Sequence, residues 1–126
     1  MKTTKNTILT ALLLFIQTLA VQAITSEYDD APARVKGVIL DATTQQPMEY
    51  ANVALYNATD SALIDGSITN SEGEFEIRGL DFGKYYLVAN FIGFKNKKIS
   101  DIVFERGNRL YEAGRIELSP SAVELE

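Results

Sequence analysis

Apolar and polar positions alternate along most of this chain, and they do so in short runs. Val35-Lys36-Gly37-Val38-Ile39-Leu40 is β-branched and apolar, the signature of a strand. Asp41 to Pro47 is turn material, because Asp41 can bond its own backbone two residues on and Pro47 stops a ladder. Ala51 to Tyr56 is a second strand, with Ala51, Val53 and Leu55 on one face. Ala62 to Thr69 is a third, and Gly66 within it marks a bulge. Asn70-Ser71-Glu72-Gly73 predicts a hairpin turn, since Asn and Gly tolerate positive φ. Glu74-Phe75-Glu76-Ile77-Arg78 alternates strictly, with Phe75 and Ile77 inward. Gly79 to Gly83 turns the chain again. Lys84 to Ile92 is apolar on both faces and predicts a central strand, covered on both sides or in part by a neighbour. Phe94 to Glu105 gives a sixth strand region, Arg106 to Arg109 a loop, and Gly114 to Leu118 a last alternating strand.

No stretch after Ala23 carries a helical period. Seven short strands spaced by about ten residues predict an all-β, Greek-key β-sandwich. Its core is predicted at Val35, Ile39, Val53, Leu55, Phe75, Ile77, Tyr85, Leu87 and Ile116.

The N-terminal pattern is of another kind. Lys2 and Lys5 precede an apolar run from Ile8 to Ala20, and Val21-Gln22-Ala23 is a small-residue cleavage site. That order predicts a signal peptide over residues 1–23 and an exported protein. The apolar run is short for a transmembrane helix, which needs about 20 residues. With no Cys after it, a lipoprotein anchor is excluded. Residues 24–33 are acidic and aperiodic and are expected to form a flexible leader. Residues 119–126 are expected to be a linker or the start of a further region.

Composition changes the picture chiefly by exclusion. The 126 residues include no His and no Cys. This removes disulfides, Cys/His zinc sites, thiolate nucleophiles and every triad built on imidazole. The net charge is −5. With Lys2 and Lys5 removed, ten basic residues face seventeen acidic ones, a balance of −7. A surface of that sign opposes nucleic acid, whose phosphates need clustered Lys and Arg.

The candidates for chemistry are few. Asp60, Asp65, Glu72 and Glu74 offer oxygen ligands for a hard cation, but no EF-hand spacing is present, and a solvated acidic face explains them better. Ser61, Ser67 and Ser71 lack a His base and a nucleophile elbow. Tyr50, Tyr56, Tyr85, Tyr86, Phe91 and Phe94 offer a sugar-stacking platform, although core packing accounts for most of them. Lys95, Lys97 and Lys98 fit an edge strand guarded against aggregation. Asn57-Ala58-Thr59 has the form of a glycosylation sequon. No catalytic, cofactor-binding or metal residues are assigned, no cofactor is expected, and any ligand-binding residues are left open.

Taken together, the motifs resemble a family. Val35-x-Gly37-x-Ile39-x-Asp41, Thr44-x-x-Pro47 and Ala51-Asn52-Val53-x-Leu55 are similar to the opening of a carboxypeptidase regulatory-like domain. Gly66-x-x-Thr69-Asn70-x-x-Gly73-x-Phe75, Leu80-x-x-Gly83-x-Tyr85-x-Leu87 and Ile92-Gly93-Phe94 complete the resemblance over residues 34–118. Asn70 stands where the family has Asp, and Phe94 where it has Tyr. The resemblance implies a transthyretin-like, seven-stranded sandwich without catalytic residues. Such domains occur beside metallocarboxypeptidases, and at the N-terminus of TonB-dependent outer-membrane receptors of Bacteroidetes. The receptor setting implies a periplasmic accessory domain of a nutrient importer, contacting a receptor plug, barrel or other periplasmic protein. The alternative is a free-standing exported domain that binds carbohydrate or peptide.

Overall fold

A computed structural model of the chain describes residues 31–122. The signal-peptide pattern, most of the acidic leader and the last four residues lie outside them. Among the described residues there is no helix. Seven strands follow in order: β1 (Ala33–Asp41), β2 (Asn52–Asn57), β3 (Leu63–Ile68), β4 (Glu74–Leu80), β5 (Gly83–Asn90), β6 (Lys97–Phe104) and β7 (Leu110–Leu118). They form two sheets, ordered β4-β1-β7 and β3-β2-β5-β6. The predicted seven-stranded sandwich is the observed one.

The layers close on the inward residues of each alternating run. All nine residues predicted for the core are buried, and they are joined by Ala33, Met48, Ala51, Leu80, Ala89, Ile102, Phe104 and Leu118. Ala33, placed by pattern at the end of the leader, is fully buried as the first residue of β1. Gly37 is inward too. A Cβ there would meet the Phe75 ring at 2.9 Å, so the missing side chain makes room for the phenylalanine.

The connections depart from expectation at four places. The Asn70–Gly73 turn does not close a hairpin: β3 lies in one sheet and β4 in the other, so the turn is a corner between layers. Its closure is local. Gly73 N–H donates to the Asn70 carbonyl at 2.9 Å, and Asn70 Oδ1 accepts from Glu72 and Glu74 N–H at 3.1 and 2.9 Å. Gly73 has φ +73°, and a Cβ would sit 2.5 Å from the Ile39 carbonyl, so the corner packs backbone on backbone. The bulge expected at Gly66 lies two residues earlier in the strand. Gly66 pairs in register with Ala54, and the shift falls between Leu55 and Tyr56, opposite Asp65 and Leu63, which leaves Ile64 as the extra residue.

The third concerns the cover of β5, expected on both sides or in part. The strand is interior to its sheet, but its second face is open: Tyr86 and Val88 are half-buried and Ile92 is 90% exposed. A run apolar on both faces does mark an interior strand here, flanked by β2 and β6, without marking two covered faces. The fourth is at the C-terminal end. β7 begins at Leu110, four residues before the predicted start, and pairs in parallel with β1, with a register shift between Lys36 and Gly37. After β7 the chain does not depart as a linker at once. Lys95 N–H donates to the Ser119 carbonyl at 2.8 Å, and Ser121 N–H to the Gly93 carbonyl at 2.9 Å.

Candidate functional site

The acidic residues do not converge. Asp60 Oδ1 accepts from Ala62 N–H at 3.0 Å and closes its turn, and Asp65 Oδ1 accepts from the adjacent Gly66 N–H at 2.7 Å within β3, so each carboxylate serves its own backbone. Glu72 pairs with the Ser71 hydroxyl and Glu74 with the Asn70 amide. Among the described residues, no three His, Cys, Asp or Glu are grouped to hold a metal ion. Asn57 of the sequon likewise serves a turn, its Oδ1 accepting from Thr59 N–H at 2.8 Å. Ser61 sits in that same β2–β3 connection, with φ +58°, and Ser67 pairs across the ladder with Val53.

The aromatic residues divide by face. Tyr85 belongs to the core: its ring lies 5.8 Å from that of Phe104, and its hydroxyl donates to the Asp81 carbonyl at 2.9 Å, tying the β4–β5 turn to β5. Burial pushes its pKa up, and the Asp81 charge adds to the effect. Phe91 and Phe94 pack edge to face beside the core. Tyr56 and Tyr86 are cross-strand partners on the outer face of the four-stranded sheet. They stack on each other with centroids 5.1 Å apart and planes 12° off parallel, and Lys98 Nζ stands 4.3 Å from the centre of the Tyr86 ring. The stack and the ammonium occupy ring faces that a sugar would need. Tyr50 is apart from the others, largely exposed with φ +62°.

Lys97 and Lys98 lie on β6, which is an edge strand, as the sequence pattern predicts. On the outer face of the three-stranded sheet, Arg34, Glu76 and Arg78 make a short ion-pair chain, at 3.3 and 2.8 Å. The hydrogen bond from Arg78, reinforced by its charge and those of Arg34 and Lys36, holds the Glu76 carboxyl below the usual range against an opposing desolvation. This chain is solvent-exposed and screened, so it orders the face more than it stabilises it.

The feature that periodicity did not single out is β3. Leu63, Ile64 and Ile68 are 64%, 44% and 61% exposed, and none of the six residues of β3 is buried. The strand pairs with β2 on one side and, among the described residues, with no strand on the other. A broad, open depression of about 730 Å³ adjoins its end, lined among others by Ser67, Ile68, Lys36, Glu74, Glu76 and Glu112. The available signal was one of charge. From Gly37 to Ile77 the sequence has seven acids and no Lys or Arg.

Comparison with known proteins follows this geometry closely. The sequence profile of the carboxypeptidase regulatory-like domain matches residues 34–118, from the second residue of β1 to the end of β7. The chain belongs to the carboxypeptidase regulatory-like domain family. Among curated proteins, none matches the sequence. Solved structures share the fold at low identity. The Bacillus anthracis TIE protein superposes with TM-score 0.58 at 12% identity, over 71% of this chain and 17% of that one. BcpA, the major pilin subunit of Bacillus cereus, gives 0.55 at 13%, over 72% and 31%. The Klebsiella pneumoniae 5-hydroxyisourate hydrolase gives 0.52 at 21%, over 69% and 86%. This carboxypeptidase regulatory-like domain thus spans less than a third of the first two proteins and most of the third. At these identities the likeness is one of fold.

Proposed function

We propose that this chain is a non-catalytic accessory domain for protein contact, the periplasmic N-terminal extension of a TonB-dependent outer-membrane receptor that imports nutrients in a Gram-negative bacterium of the Bacteroidetes type. The observation that carries the reading is the family match over the whole sandwich, residues 34–118. Two features support the finer placement: the basic, apolar and small-residue order of residues 1–23, and the junction-like run from Gly114 to Glu126. The hydrolase neighbour shares only the fold, and without His or Cys this chain has neither an imidazole base nor a thiolate. The acidic balance points the partner surface to protein and away from nucleic acid.

Export is tested by producing the chain with its own N-terminus in a Gram-negative host. The expected product is in the periplasm or outer membrane with residues 1–23 removed; an uncleaved chain held in the cytoplasm overturns the placement. The reading frame beyond Glu126 is expected to encode a plug and barrel strands. A stop codon there turns the reading to a free-standing carbohydrate- or peptide-binding domain. The Tyr56–Tyr86 stack, with ring faces taken by each other and by Lys98, does not favour the carbohydrate form of that alternative. Glycan binding abolished by Tyr56→Ala would establish it.

A further inference from the structure

We propose that β3, over Asp65 to Ile68, is a docking edge for an extended segment of another protein, one that alternates apolar residues with Lys or Arg. The inference rests on the accessory reading above and gives that domain its contact surface.

An edge strand offers a row of unpaired N–H and C=O groups, and proteins usually blunt such edges with charge or bulges. Three of the four edges here follow that rule. β6 carries Lys97 and Lys98, β4 carries Glu74, Glu76 and Arg78, and β7 carries Glu112, Arg115 and Glu117. β3 carries Asp65 alone and exposes Leu63, Ile64 and Ile68. Its bulge at Ile64 ends the regular ladder on one side. On the other, Thr69 has its N–H and carbonyl committed to Ala51 and Tyr50. The run from Asp65 to Ile68 between them keeps an unbroken register with β2, and apart from Gly66 N–H, which Asp65 Oδ1 holds at 2.7 Å, its free side is a template for one more strand.

Charge selects the occupant. Glu49, Asp60 and Glu72 lie in the loops around this edge, and no cation occurs from Gly37 to Ile77. Of the carboxylates that line the adjoining depression, Glu112 meets Lys36 Nζ at 3.1 Å and Glu76 is paired with Arg34 and Arg78, while Glu74 is in no ion pair among the described residues. A strand added to β3 would set apolar side chains against Ile68 and carry its cations to Asp65, Glu74 and the acids of the flanking loops. A second copy of this chain pairing β3 to β3 would bring like-charged acids together, which disfavours it.

The test uses the full chain and two labelled probes, acetylated Lys-Val-Lys-Val-Lys-Val-Lys amide and the same peptide with Glu for Lys, followed by fluorescence anisotropy. The expected result is at least tenfold tighter binding of the lysine peptide, slowed amide exchange at residues 65–68, and at least tenfold weaker binding in Ile68→Lys and in Asp65→Lys at unchanged melting temperature. Equal affinity for the two peptides, no binding of either, binding retained in both variants, or protection on another strand each overturns the proposal. So does a concentration-dependent dimer abolished by Ile68→Lys, which would assign the edge to a second copy. Contact with an outer-membrane barrel that both variants preserve would remove β3 and leave the accessory reading standing. Cytoplasmic retention would remove the placement while lysine-peptide binding still stood.

Discussion

The two edges of the four-stranded sheet, β3 and β6, are built on opposite plans. β6 sends Ile102 and Phe104 into the core, meets solvent with Lys97 and Lys98, and bulges opposite β5, where Asp101 takes φ +63°. β3 sends no side chain into the core. It is held by its ladder to β2 and by a clasp at its end, where the buried Thr69 hydroxyl accepts from Ala51 N–H and donates to the Met48 carbonyl. An edge can thus be fixed by packing or by hydrogen bonds. Only the second arrangement leaves apolar side chains free for another use.

Removing packing from β6 should produce the largest effect. Phe104→Ala leaves a cavity against Tyr85 and is expected to cost about 3–5 kcal/mol, read as a lower urea midpoint at unchanged slope. A loss under about 1 kcal/mol would mean that β6, like β3, is held by its ladder. Removing the clasp should come next. Thr69→Val keeps the shape but orphans a buried N–H and a buried carbonyl, at about 1–3 kcal/mol. Amide exchange should quicken along β3 in this variant while β6 stays protected. Equal quickening in both strands would abolish the distinction.

The contrast also explains what the sequence made legible. Strands with one buried face announce themselves by period two, so Phe75, Ile77, Tyr85, Leu87 and Ile116 were readable as core. Ile102 and Phe104 were visible as apolar residues of β6 but not as inward ones, because the bulge there changes which parity faces the core. The corner at Asn70–Gly73 was readable as a turn. Whether a turn closes a hairpin or changes sheets depends on where β4 finds its partner, and that partner, β1, is some forty residues away. The parallel pairing of β1 with β7 is likewise a long-range choice with no local mark. β3 was readable as a strand. Its exposure was not, because an apolar residue facing solvent on an edge has the same letter as one facing a core. The cation-free stretch around it was the only trace, and charge is invisible to a hydrophobic period.

On the β6 side, Tyr85 supplies a smaller and pH-dependent effect. Tyr85→Phe loses the bond to the Asp81 carbonyl and is expected to cost about 0.5–1.5 kcal/mol. The phenol has its pKa raised above the ordinary 10.0, so the folded state holds this proton more tightly than the unfolded chain. Its contribution is complete below pH 10 and is lost as pH climbs from there through the folded value. Urea midpoints should therefore fall above pH 10, and fall less steeply in Tyr85→Phe. Parallel profiles for the two proteins would place the titration elsewhere.

The smallest expected effect belongs to β3 and bears most directly on its purpose. Leu63 is one of its most exposed apolar residues, in the outer-face row that continues through Tyr56 and Tyr86. If the fold owes nothing to its side chain, Leu63→Ala should change stability by no more than about 0.5 kcal/mol. A cost of about 2 kcal/mol would show that Leu63 packs on that row and is needed there, so that its exposure would be no sign of a partner. A neutral result carries the opposite weight. Beside the charges placed on the other three edges, an apolar residue that the fold does not need, on an edge without a cation, is a residue available for contact.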